Sequence, residues 1–208
     1  MKHIGLFGGS FNPVHCGHLL AAESVLKQLA LDQILFLPAA YSPFKARPEI
    51  RDAQRLDMLR CAIEDYPAFK IDTRELKQTG PSYTINTLVD IAAENPQTQL
   101  YLLIGMDAWE HFERWKQWRE IMDLCHLIVL SRPGYSLPKL SEYWQKKLMD
   151  DVKTLKVSTP GKLIFVTVPA SNAASNKVRE CIKQEQNIDK DLPGAVRDYI
   201  EEQQLYRN

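Results

Sequence analysis

Four short apolar runs, each closing on glycine or proline, constrain this 208-residue chain more than any other feature. They are Ile4 to Phe7 before Gly8-Gly9, Gln33 to Leu37 before Pro38, Leu100 to Ile104 before Gly105, and Leu127 to Leu130 before Arg132-Pro133-Gly134. Short runs that are apolar without alternation and end in turn residues fit strands buried on both faces. The segments between them carry the helical period. From Gly17 to Leu31, the residues Leu19, Leu20, Ala22, Val25, Leu26 and Leu29 recur at helical spacing. Residues 52–65 read as a helix with Asp52 as its N-cap, and another helix follows near Tyr83 to Glu94, after a short strand around Phe69 to Ile71. Residues 139–152 are polar with helical spacing, Leu163 to Val168 is a last strand, and helices near 176–184 and 194–204 complete the chain. This alternation favours an α/β architecture with a parallel sheet covered on both faces. We expect one domain over 1–208 with a helical C-terminal portion from about 172 to 208.

In such sheets, ligands lie beyond the carboxyl ends of the strands. Three segments fall there: Gly8 to His18, Pro38 to Lys45, and Gly105 to Asp107. The charge balance says how an anionic ligand would have to be held. Lys+Arg and Asp+Glu stand at 26 each, which argues against a protein that coats nucleic acid or lies on a membrane surface. Phosphates would therefore be met by a few local cations and by backbone N–H groups. No apolar run approaches the roughly 18 residues that a membrane span needs. Met1 to Gly5 leads straight into a strand without a signal-peptide pattern. The scattered Cys16, Cys61, Cys125 and Cys181 form no C-x-x-C pair, so reduced thiols and a cytoplasmic location are expected.

The stretch Gly8-Gly9-Ser10-Phe11-Asn12-Pro13-Val14-His15-Cys16-Gly17-His18 is the most informative in the chain. Its glycines allow a sharp turn and a close ligand approach, and the turn enters a helix whose first N–H groups are unpaired. His15 and His18 stand three apart, the spacing that puts two side chains on one helical face. Two imidazoles there can donate hydrogen bonds to phosphate oxygens as charge builds up. They could instead be metal ligands with Cys16, but no third or fourth ligand stands at metal spacing, and no protein metal site is expected. Neither G-x-x-x-x-G-K-[ST] nor G-x-G-x-x-G occurs, which disfavours P-loop chemistry.

This segment resembles the signature of the HxGH nucleotidyltransferases, and further segments resemble one branch of them, the nicotinate-nucleotide adenylyltransferases. These are Ser42-Pro43-Phe44-Lys45, Arg74-Glu75-Leu76-Lys77, Pro81-Ser82-Tyr83-Thr84, Ile104-Gly105-Met106-Asp107, Trp115-Lys116-Gln117-Trp118, Arg132-Pro133-Gly134-Tyr135 and Leu192-Pro193-Gly194-Ala195-Val196-Arg197. The resemblance implies a Rossmann-like, doubly wound parallel sheet, transfer of the AMP moiety of ATP to nicotinic acid mononucleotide in NAD biosynthesis, and Mg²⁺ accompanying ATP. It implies that Gly8, Gly9, Ser10 and Phe11 approach the phosphates through their backbone, and that His15, His18, Lys45 and Arg179 are catalytic. Asp107 would accept from ribose hydroxyls, although an aspartate at such a position is also a common N-cap. Ser175 would join the ATP site. Tyr83, Thr84, Trp115 and Lys116 would hold the mononucleotide, with Trp115 stacked on the pyridine ring and main-chain N–H groups around Lys116 meeting the carboxylate. Trp115 and Trp118 are three apart, so one of them can be core.

Two departures stand out. The family often has histidine before the loop lysine, where this chain has Phe44. The family pattern I-S-[SA]-T-x-[IV]-R is met by Ala173-Ala174-Ser175-Asn176-Lys177-Val178-Arg179, so the arginine is kept and two hydroxyls are lost. Two alternatives follow. One is another HxGH enzyme, such as a pantetheine-phosphate adenylyltransferase or a cytidylyltransferase. The other is a catalytically impaired nucleotide-binding regulator.

Overall fold

The computed structural model describes residues 1–41, 48–136 and 138–207. Among the described residues there are six strands: β1 (Lys2–Gly9), β2 (Gln33–Pro38), β3 (Phe69–Ile71), β4 (Thr98–Gly105), β5 (His126–Ser131) and β6 (Leu163–Thr167). They form one sheet in the order β3-β2-β1-β4-β5-β6. The β1–β4, β4–β5 and β5–β6 pairs are parallel. This is the strand order of a doubly wound sheet, and it reverses between β1 and β4, the place where such sheets receive ligands. The helices are α1 (Cys16–Gln28), α2 (Asp52–Ile63), α3 (Thr84–Glu94), α4 (Met106–Trp109), α5 (Trp118–Leu124), α6 (Glu142–Lys147), α7 (Val152–Val157), α8 (Ser175–Lys183) and α9 (Gly194–Glu202).

The chain divides into two compact units. The first comprises Met1–Phe7, Ser24–Leu35 and Tyr83–Pro169. Strands β4 and β5 are buried almost end to end and β1 over Ile4 to Phe7, as expected where both faces of a sheet are covered. Register aligns Leu6, Leu102, Leu127 and Leu163 in one row across four strands, and all four are buried. A second cluster is aromatic. Trp144 lies 4.7 Å from Trp109 and 5.5 Å from Trp118, and Trp109 meets Phe165 edge-on.

The second unit comprises Gly8–Glu23, Phe36–Ser82 and Ala170–Asn208. Phe11, Phe36, Met58, Leu59, Val178 and Val196 form its core. Helix α2 is tied to α9 by the Tyr199 hydroxyl, which donates to Asp57 at 3.2 Å.

Three local expectations need correcting. Asp52 is the first residue of α2, with Arg51 at the cap position, because its carboxylate is taken up by Arg55 at 2.8 Å. The polar stretch 139–152 is not one helix: α6 ends at Lys147, and Asp151 starts α7 by accepting from the N–H groups of Lys153 and Thr154. His15 precedes α1 instead of lying on its face.

Candidate active site

The turn after β1 belongs to the second unit and is held from three sides. The glycines expected to supply its sharp bend do not take the left-handed conformation; Phe11 does, at φ 44°. A non-glycine residue there costs on the order of 1–3 kcal/mol and persists only where its surroundings over-determine it. Here they do. The Phe11 ring is 1% exposed, 5.6 Å from Phe36 and edge-on to His18 at 5.2 Å. The following backbone is gripped by α8: Arg179 donates to the Asn12 carbonyl at 2.7 Å, and the Ser175 hydroxyl donates to the Pro13 carbonyl at 2.9 Å. The buried Tyr206 hydroxyl donates to Asn12 Oδ1 at 2.6 Å.

His15 and His18 are brought together despite lying on either side of the helix start. Their rings stack with centroids 3.7 Å apart. The His15 N–H donates to His18 Nδ1 at 3.2 Å, which leaves the His18 proton on Nε2. Burial depresses both imidazoles. His15 falls to about 4 although Asp191 opposes the shift, and His18 lies well below the ordinary value, with His15 adding to the effect. At neutral pH both are uncharged, as two rings this close must be. His15 is 8% exposed, and its Nδ1 has no hydrogen-bond partner among the described residues. Gly17 makes room for this ring, because a Cβ there would stand 3.1 Å from His15 Nδ1 and 3.0 Å from Ser171 Oγ. Gly8 and Gly9 end β1, and Ser10 follows them into the turn. A cavity of about 630 Å³ adjoins Arg179 and is lined by Lys177, Lys183, Asn176 and Tyr206 together with the carboxylates of Glu49 and Glu180. Neutral N–H donors and cations are chemistry for phosphate oxygens. Lys45 and its neighbour Phe44 lie outside the described residues.

The residues expected to hold the mononucleotide lie in the first unit. Tyr83 is the N-cap residue of α3, and Thr84 is its first residue. Lys116 places its ammonium 4.6 Å over the Tyr83 ring, so these two are brought together. Trp115 is half-buried and lies 5.3 Å from Phe112. Trp118 is committed to packing, edge-on to Tyr143 and 5.5 Å from Trp144, with the Arg119 guanidinium 4.4 Å over its ring. Asp107 is exposed in the first turn of α4, whose cap is Gly105, so it does not cap that helix.

Over residues 6–187 the chain matches the Cytidylyltransferase-like family. It is 35% identical over 207 residues to the "Probable nicotinate-nucleotide adenylyltransferase" of Acidithiobacillus ferrooxidans, covering 98% of this chain and 95% of the relative. The chain belongs to the nicotinate-nucleotide adenylyltransferase family. A second family member of the same name, from Serratia proteamaculans, is 36% identical over 207 residues, covering 97% and 94%. The fold is shared with Plasmodium falciparum nicotinic acid mononucleotide adenylyltransferase complexed with NaAD, at a TM-score of 0.74 and 19% identity over 99% of this chain and 98% of that one. The same parasite enzyme complexed with APC gives a TM-score of 0.72, at 18% identity and the same coverage of both chains.

For a member of the nicotinate-nucleotide adenylyltransferase family, the sequence reading missed two residues that shape the turn. Arg55 is fully buried, and Tyr206 binds Asn12. A signal for Arg55 was present: it shares the buried face of α2 with Met58, Leu59, Ala62 and Ile63, where an arginine is out of place. Tyr206 gave none, since nothing local ties a residue at the end of the chain to position 12.

Proposed function

We propose that this chain transfers the AMP moiety of ATP to nicotinic acid mononucleotide, giving nicotinic acid adenine dinucleotide and pyrophosphate in NAD biosynthesis. The observation that carries the reading is the neutral, stacked His15–His18 pair on a turn clamped by Ser175 and Arg179. The choice of acceptor is supported by the full-length relatives and by Tyr83, Lys116 and Trp115.

An oxygen of the mononucleotide 5′-phosphate attacks the α-phosphorus, forming a new P–O bond as the bond to the β-phosphate oxygen breaks. No protein nucleophile is required, so the residues position the groups and stabilise charge. His18 donates from Nε2 to a phosphate oxygen. A neutral donor gains strength as charge develops, and because it keeps its proton it returns to its starting state. His15, the backbone of Gly8 to Phe11, and the remaining Arg179 N–H groups complete the cradle, with Ser175 holding its far side. Lys45 adds a cation. Mg²⁺ would come with ATP as part of the substrate and would offset phosphate charge beside the cations of the site. Asp107 accepts from the ribose. Thr84 and Tyr83 hold the nicotinate end, Trp115 stacks on its ring, and N–H groups around Lys116 take its carboxylate. We place the reaction in the cytoplasm, in keeping with four free thiols and with the absence, among the described residues, of a helix long and apolar enough to cross a membrane.

Pyrophosphate release with Mg²⁺-ATP and each of three acceptors tests this. Turnover is expected with nicotinic acid mononucleotide above nicotinamide mononucleotide, and none with phosphopantetheine. Preference for phosphopantetheine would transfer the chain to another branch.

A further inference from the structure

We infer that Arg55 is the positioning residue of the phosphate turn, a buried fork that fixes the turn after β1 against the segment after β2. The inference rests on the adenylyl-transfer reading above. Arg55 is 0% exposed, although arginine is among the side chains least often buried. Its Nη1 donates to the Ser10 carbonyl at 2.5 Å. Its Nη2 donates to the Ala39 carbonyl at 2.6 Å, with Ala40 at 3.3 Å and Asp52 Oδ1 at 2.8 Å. Asp52 is the counter-charge, and its side chain is 30% exposed.

Burying a guanidinium costs several kcal/mol, and a well-packed apolar side chain of similar size is often no worse for stability. A stability role alone therefore does not explain Arg55. Its acceptors do: three of the four are backbone carbonyls, and they lie on the two segments that leave the paired strands β1 and β2. Ala39 N–H also donates to the Gly9 carbonyl at 2.9 Å, and Ala40 N–H to Ser82 Oγ at 3.1 Å. The fork thus holds Ser10 to residues 39–40 just beyond the point where the pairing of β1 and β2 ends. The Ser10 carbonyl is thereby turned inward onto Arg55, next to the left-handed Phe11. A planar fork on a rigid helix can hold that geometry, whereas a lysine point charge cannot.

The test uses Arg55→Met and Arg55→Lys in the full chain, with steady-state kinetics and amide exchange. Arg55→Met is expected to keep β4 amides protected while Ala39 and Ala40 exchange about tenfold faster, as local opening without global unfolding requires. Its kcat/KM for ATP should fall about 100-fold, the scale of a misplacement near 1 Å, with the KM for the mononucleotide within about twofold of wild type. Arg55→Lys should recover part of the loss. Unchanged exchange at Ala39 and Ala40 would overturn the inference, as would equal losses for both substrates in a folded variant. Should Arg55→Met unfold, a folded Arg55→Lys with wild-type kinetics would overturn it as well. If the wild-type protein makes no dinucleotide, the adenylyl-transfer reading fails on its own, and the exchange at Ala39 and Ala40 still decides the role of Arg55.

Discussion

His18 accepts a hydrogen bond through Nδ1 from the backbone N–H of His15 at 3.2 Å, and that bond determines which ring nitrogen can serve a phosphate. The proton is confined to Nε2. Replacing His18 with Ala should lower kcat by about 10²–10³, the loss found when one transition-state donor is removed. Glutamine carries its amide near the Nε2 position and asparagine near Nδ1. His18→Gln should therefore keep about tenfold more activity than His18→Asn, a difference read as a transition-state free energy. Equal activities would mean that the donor is not Nε2.

Gly17 offers a second probe, because stability and activity should part there. Alanine favours a helix over glycine by up to about 1 kcal/mol. A Cβ would nevertheless meet Ser171 Oγ at 3.0 Å and the His15 ring at 3.1 Å, so the imidazole must shift by a few tenths of an ångström. We expect Gly17→Ala to melt within a few degrees of wild type and to lose about tenfold or more in kcat. Adding Ser171→Ala relieves only one of the two contacts and should restore little. Full activity in Gly17→Ala would show that the ring position is unimportant.

Ala174 stands at the N-cap of α8 with extended backbone (φ −145°, ψ 138°) and no capping side chain. The departure from the family's serine thus leaves the first N–H groups of this helix without a side-chain acceptor. Ala174→Ser should raise the unfolding free energy by about 1 kcal/mol in urea titrations, the usual worth of such a cap. No gain would mean that those groups already have partners.

Acid should destabilise the protein earlier than its carboxylates alone require. His126 is fully buried beside Gln99, and burial, with Lys162 and His3 adding, lowers it from 6.5 to about 4. His15 is lowered to about 4 as well, again chiefly by burial. Between those values and the ordinary histidine range, the unfolded chain binds more protons than the folded one, so stability falls as pH falls. The contribution is complete above about pH 6.5 and is lost towards pH 4, amounting to roughly 2–3 kcal/mol for His126. Urea midpoints measured between pH 7.5 and 4.5 should show this slope, and His126→Gln should flatten it. A flat profile in the wild-type protein would contradict the neutral state of both rings.

The architecture could be read from the sequence because its strands are short, unalternating and closed by Gly or Pro; the run Ile4 to Phe7 became the buried centre of β1. The turn was legible as a motif, but its mechanics were not. Glycine was assigned the bend that Phe11 takes, because only tertiary packing against Phe36 and His18 makes a left-handed phenylalanine tolerable. Arg179 and Ser175 were read as ligands of ATP, and both are spent in part on the carbonyls of Asn12 and Pro13, partners more than 160 residues away in sequence. The break between α6 and α7 was hidden for a local reason, since Asp151 within a polar run reads equally well as a surface residue or as a cap.

The most direct measurement is a crystal structure grown with a non-hydrolysable ATP analogue and Mg²⁺. The account predicts phosphate oxygens on the N–H groups of the Gly9 to Phe11 turn, with His18 Nε2 within hydrogen-bonding distance of one of them and Ser10 O still on Arg55. Triphosphate bound elsewhere, with the stacked imidazoles untouched or ligating a metal, would contradict it.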